Sequence, residues 1–175
     1  MTESYKKFVE LVADQFTYGG KKYALTTTKE STDMLFDIHG YKWLVGTIHK
    51  YVYRYGNLAR ERDLLKIACY MYILWLKRGF HLSSIGTDIP IDTTVDVKSE
   101  FFKKFLETVE HTGGLKTVPL NKLDRLGSIL INWSKTDDWY GVDENEIIEV
   151  FILSFLTWED AYSAVAVHDT DTNNK

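Results

Sequence analysis

The feature that most constrains this chain is a segment without a polar face. Leu64, Leu65, Ile67, Ala68, Met71, Ile73, Leu74 and Leu76 fall on nearly every side of a helix drawn through them. A helix that is apolar all round has to be covered all round, so it belongs at the centre of a bundle. A second helical pattern precedes it. Trp43, Leu44, Val45, Ile48, Tyr51 and Val52 recur at three- and four-residue spacings. A turn is expected at Tyr55, Gly56 and Asn57, joining the two helices into a hairpin over residues 41–78. The run from Ile67 to Leu76 is too short to span a bilayer, so no membrane partner is expected.

The flanking patterns are also helical. Thr2 to Phe16 carries an apolar stripe of Phe8, Val9, Leu11, Val12 and Phe16 and is expected to stop at Tyr18-Gly19-Gly20. The amides of those glycines, with Lys21 and Lys22 beside them, offer a weak phosphate cradle; a plain helix cap is the simpler reading. A short helix over Asp33 to Ile38 ends at Gly40. Further helices are expected over Asp96 to His111, closed by Thr112-Gly113-Gly114, over Pro119 to Trp133, and over Asp143 to Val165. The fold class is therefore all-α, a compact bundle of about six helices around the buried hairpin. Residues 1–80 form one helical half, 81–95 an irregular connection containing Gly86 and Pro90, 96–167 helices packing on the same core, and 168–175 a polar tail.

With 45% hydrophobic and 14% aromatic residues, the 175-residue chain has ample material for a core. The single cysteine, Cys69, lies within the apolar helix and reads as a small buried hydrophobe. The opening MTESYKKFVE is polar and charged, unlike a secretory leader, so a cytoplasmic location is expected. Charge is unevenly distributed. Between Tyr41 and Lys66 six cations (Lys42, Lys50, Arg54, Arg60, Arg62, Lys66) face two acids (Glu61, Asp63), a local +4 in a chain of net −4. The overall charge makes nucleic acid an unexpected partner. The local excess, with Lys50 and Arg54 one turn apart, offers an anion site; a solvated basic face is the simpler reading.

Several chemistries lack their residues. No G-x-x-x-x-G-K-[ST] occurs, which excludes a P-loop kinase, and no G-x-S-x-G or Cys/His pairing points to acyl transfer. The histidines at 39, 49, 81, 111 and 168 form no His-Asp step except in the tail.

The hairpin resembles a known group. Gly46-Thr47-Ile48-His49-Lys50-Tyr51, then Arg54-Tyr55-Gly56, then Arg62-Asp63-Leu64-Leu65-Lys66-Ile67-Ala68 and Tyr70 are similar to a pattern of small phage proteins labelled nucleotide-kinase-like. Tyr18-Gly19-Gly20-Lys21-Lys22-Tyr23 resembles the opening of phage dATP/dGTP diphosphohydrolase-like proteins. Both groups look like relatives of the all-α MazG-type nucleotide pyrophosphohydrolases. The likeness covers about residues 10–78. It implies a nucleotide-handling protein of phage origin, acting in the bacterial cytoplasm on a nucleotide or other phosphate-bearing ligand. On this reading Lys21, Lys22, Lys50 and Arg54 hold phosphates, and Trp43 or Tyr51 stacks on a base. Relatives of this type are usually oligomers, so a homo-oligomer covering the apolar helix is expected.

MazG-type enzymes hold Mg²⁺ through E-x-x-E and E-x-x-D motifs on successive helices, because Mg²⁺ takes hard oxygen ligands. Here no acid occurs between Tyr41 and Arg60, which leaves Glu61 and Asp63 in the hairpin. Glu146 and Glu149, one turn apart on the last helix, are the other candidates. Two readings follow. One is a Mg²⁺-dependent (d)NTP pyrophosphohydrolase with Glu61 and Asp63 catalytic and Asp63, Glu146 and Glu149 on the metal. The other is a non-catalytic protein that only binds its ligand, or that binds a protein partner through the acidic, aromatic surface around Asp137 to Glu149. Convergence of the carboxylates beside Lys50 and Arg54 separates the two.

Overall fold

In a computed structural model the structure describes residues 2–23, 31–82, 100–136 and 142–163; within helices, the side chains of 17–23, 31–35, 37 and 100 lie outside the description. These residues form six α-helices and no strand: α1 (Glu3–Tyr23), α2 (Ser31–Leu58), α3 (Glu61–Lys77), α4 (Glu100–His111), α5 (Lys122–Lys135) and α6 (Glu144–Trp158). A 3-10 turn, Phe80–Leu82, follows α3, and a π turn, Glu159–Ser163, follows α6.

Helix α3 is the centre, as its sequence requires. Twelve of its residues are buried, and α1, α2, α4 and α6 of the same chain all pack on it. Its apolarity therefore calls for no second copy to cover it. Two hydrogen bonds fix α6 antiparallel to it. Trp75 Nε1 donates to Glu144 at 3.0 Å at one end, and Trp158 Nε1 donates to Glu61 at 3.0 Å at the other. Helix α1 lies along the same pair: Phe8 meets Phe151, Phe155 and Trp158 at ring distances of 5.4–5.7 Å. Tyr72 of α3 collects Phe16, Phe102 and Phe105, joining α1 and α4 to the core. One buried cluster runs from Phe8 to Trp158 and includes residues of both expected halves.

The helix ends differ from expectation in instructive ways. Helix α1 continues through Gly19-Gly20 to Tyr23. Glycine in a helix costs only about 1 kcal/mol relative to alanine, which neighbouring turns outweigh. Amides inside a helix bond to the carbonyl four residues back, so neither the expected cap at Gly19-Gly20 nor the weaker alternative of a phosphate cradle fits. Gly40 does break α2, at φ 75 and ψ −163, a backbone region that only glycine enters readily. The hairpin turn falls later than expected. Helix α2 passes through Gly56, because Tyr55 is buried and holds the last turn against the core. The reversal is made by Ala59, at φ 50, whose carbonyl accepts from Tyr162 Oη at 2.6 Å. Helix α5 starts at Lys122 instead of Pro119, since Asn121 caps it by accepting from the Asp124 amide. Asp143 caps α6 in the same way, through the Asn145 amide. Helix α4 is described from Glu100; of the expected 81–95 connection, His81 and Leu82 lie in the 3-10 turn, and residues 83–95, like the 168–175 tail, lie outside the described residues.

Two backbone substitutions test this account by thermal or urea unfolding. Gly40→Ala has open space around the added methyl but an unfavourable backbone, and is expected to destabilise by roughly 1–3 kcal/mol. Ala59→Gly relieves a left-handed residue and is expected to stabilise by roughly 0.5–1 kcal/mol.

Candidate functional site

The antiparallel α2–α3 pair brings a cationic cluster together on its outer side. Tyr51 of α2 is buried against α3, and three cations surround its ring: Lys50 Nζ at 4.7 Å, Lys66 Nζ at 4.8 Å and Arg54 Cζ at 5.8 Å from the centroid. Lys66 Nζ also donates to Tyr51 Oη at 3.5 Å. Tyr70, one turn beyond Lys66, stacks on Tyr51 with centroids 5.8 Å apart and planes at 23°. The negative face of an aromatic ring attracts cations, which lets three like charges gather here at reduced cost. At the edge of the cluster Arg54 Nε lies 4.0 Å from Asp63 Oδ2, with the arginine side chain 36% exposed and the carboxylate 2%.

The structure thus unites four of the expected residues, Lys50, Tyr51, Arg54 and Asp63, and sets Glu61, Glu146 and Glu149 to other contacts or places. Trp43 is half-buried two turns before Tyr51 on α2, roughly 12 Å along the helix. The side chains of Lys21 and Lys22 lie outside the described residues. Lys66 and Tyr70 were not singled out from sequence as site residues. They face Tyr51 only because the turn comes at Ala59; an earlier turn would set Tyr51 opposite the start of α3 instead. The usable signal was the three- and four-residue spacing of Asp63, Lys66 and Tyr70 along one side of α3.

The carboxylates do not converge. Glu61 accepts from Trp158 Nε1, so its role is to satisfy a buried indole. Glu149 takes Arg125 in a two-pronged ion pair, at 2.8 and 3.0 Å. It precedes Trp158 by nine residues, roughly 13 Å along α6 at the ordinary helical rise, and Trp158 is the residue that meets Glu61. Glu146 lies a turn further still, on the Trp75 end of the α3–α6 pair. Mg²⁺ needs its oxygens about 2 Å from one centre, a condition that Asp63, Glu146 and Glu149 do not meet. Among the described residues no group of three or more His, Cys, Asp or Glu side chains is placed to hold a metal. The expected Mg²⁺ set and the catalytic pairing of Glu61 with Asp63 therefore do not fit this arrangement. Of the expected protein-binding surface, Asp137 to Glu149, residues 137–141 lie outside the described residues, while Glu144 and Glu149 are engaged by Trp75 and Arg125.

Other reactive groups are muted by burial. Desolvation raises the Cys69 thiol well above its ordinary range, so it is no nucleophile. Desolvation also pushes Tyr41 up to about 12. An open cleft of about 400 Å³ between α4 and the start of α6 carries Lys104, Glu107, His111 and Glu144, a mixture of signs that favours no charged ligand. Comparison of the chain with protein-family models, curated proteins and solved structures gives no match.

His81 is another group whose titration the core shifts. It is buried against Phe101 at 4.7 Å and Trp75 at 6.0 Å, and neither ring nitrogen has a hydrogen-bond partner among the described residues. Burial, then the charge of Lys104, lowers its pKa from the ordinary 6.5. A base whose folded pKa is depressed binds more protons when unfolded, so its stabilising contribution is complete above pH 6.5 and declines as pH falls below it. The melting temperature is expected to fall between pH 7 and pH 5.5, and more shallowly in His81→Leu; parallel curves for the two proteins would refute this.

Proposed function

We propose that the protein binds a phosphate-bearing ligand of the nucleotide class at the cluster around Tyr51, and that it is a binder and not a metal-dependent hydrolase. The observation that carries the reading is the placement of Lys50, Arg54 and Lys66 around one tyrosine ring. Phosphate recognition calls for several charged donors approaching from different directions, with arginine able to bind two oxygens at once. Two helices supply them here, and Lys50 is exposed with no carboxylate partner among the described residues. The partly exposed ring of Tyr70 beside the cations supports a flat, base-bearing ligand over a bare anion, as does the likeness of residues 10–78 to nucleotide-handling proteins. The hydrolase reading loses ground because its carboxylates are held apart and two of them already serve Trp158 and Arg125.

Calorimetric titration with ATP, GTP, dATP, dGTP and pyrophosphate tests the reading. Binding is expected to weaken as salt rises. Lys50→Ala and Arg54→Ala are each expected to lower affinity about tenfold, the usual consequence of losing one charge-assisted contact. Undiminished binding by the Lys50→Ala/Arg54→Ala double variant, or none by the wild type, would sink the proposal. Metal-dependent release of nucleoside monophosphate would reinstate the hydrolase.

A further inference from the structure

We infer that Asp63 is a positioning residue, set into the wall of the cluster to aim the Arg54 guanidinium at a phosphate group. The inference rests on the binding reading above and deepens it by assigning the ligand's phosphate to Arg54.

The argument begins with a carboxylate in an unfavourable place. Asp63 is 1% exposed, and its Oδ2 receives no hydrogen bond among the described residues. A buried anionic oxygen without a donor is costly. Stability alone does not account for it, since an uncharged residue of similar volume is often as stable or more so at such a position. Helix α3 begins at Glu61, and its dipole favours acids in the first turn, but that preference is met as well by an exposed acid as by a buried one.

What the carboxylate does have is a cation at one remove. Arg54 Nε is 4.0 Å away, beyond hydrogen-bond length but within ion-pair range. With Nε turned toward Asp63, the terminal nitrogens are left for the two oxygens of a phosphate, the pairing that guanidinium geometry suits. The negative charge has a second effect. Lys50, Lys66 and Arg54 all lie within 6 Å of the Tyr51 ring centre and repel one another. A fixed anion beside Arg54 offsets that repulsion before any ligand arrives, so the site is pre-formed.

The test compares wild type, Asp63→Asn, Arg54→Ala and the double variant, with pyrophosphate as the titrant, melting temperature as the fold control and the Arg54 Nε–H signal followed by NMR. Asp63→Asn is expected to lose about tenfold in affinity while its melting temperature holds or rises. The Arg54 Nε–H signal, resolved in the wild type, should broaden in Asp63→Asn. Adding Asp63→Asn to Arg54→Ala should cost no further affinity, because both act through one guanidinium. Should Asp63→Asn fail to fold, Asp63→Leu carries the same comparison. Wild-type affinity in the Asp63 variant, or additive losses in the double variant, would overturn the positioning role and leave the binding site standing. No binding of pyrophosphate by the wild type would overturn both.

Discussion

The structure depends on covering α3. A helix with apolar residues on every side is stable only when enclosed, and here α1, α2, α4 and α6 enclose it within one chain. Enclosure by itself leaves a helix free to slide. The two indole bonds prevent that. Trp75 reaches Glu144 and Trp158 reaches Glu61, one at each end of the α3–α6 pair. A buried indole N–H needs an acceptor, so each bond specifies a register as well as adding stability. Sliding α6 by one turn would break both at once.

That locking also decides what the acids are for. Several of the described carboxylates are structural acceptors. Glu61 and Glu144 hold indoles, Glu149 holds Arg125, Asp160 holds Lys122 at 2.7 Å, and Glu159 accepts from Ser4. The acidic C-terminal helices are thus drawn into pairing with α5 and the N-terminus. On the hairpin the arrangement differs, since three cations share one aromatic ring with a single buried aspartate at its edge. The charge asymmetry of the chain thus shows as acids engaged in structural contacts on one side and a cluster of cations around one ring on the other.

Much of this was legible in the residues. The apolar stripes located all six helices, Gly40 marked a true break, and Gly113 and Gly114 follow α4 with positive φ as expected. The burial of Cys69 followed from its neighbours. The misplaced boundaries share one cause. Glycine permits a helix to stop but does not compel it, so α1 runs through Gly19-Gly20 and α2 through Gly56. The actual turn uses an alanine in a left-handed conformation, held by a tyrosine more than a hundred residues away in sequence. No local signal announces such a turn. The candidate site inherited the error. Lys50, Tyr51, Arg54 and Asp63 were readable as a group, whereas Lys66 and Tyr70 joined them only once the turn was placed.

The sequence alone determined the helical class, the central position of α3 and the concentration of positive charge on the hairpin. These follow from periodicity and composition, which act over a few residues at a time. Tertiary structure alone decided which carboxylates are engaged and which cations meet. Those outcomes depend on register between helices, and register is set by contacts such as Glu61 with Trp158, 97 residues apart, which no local pattern encodes.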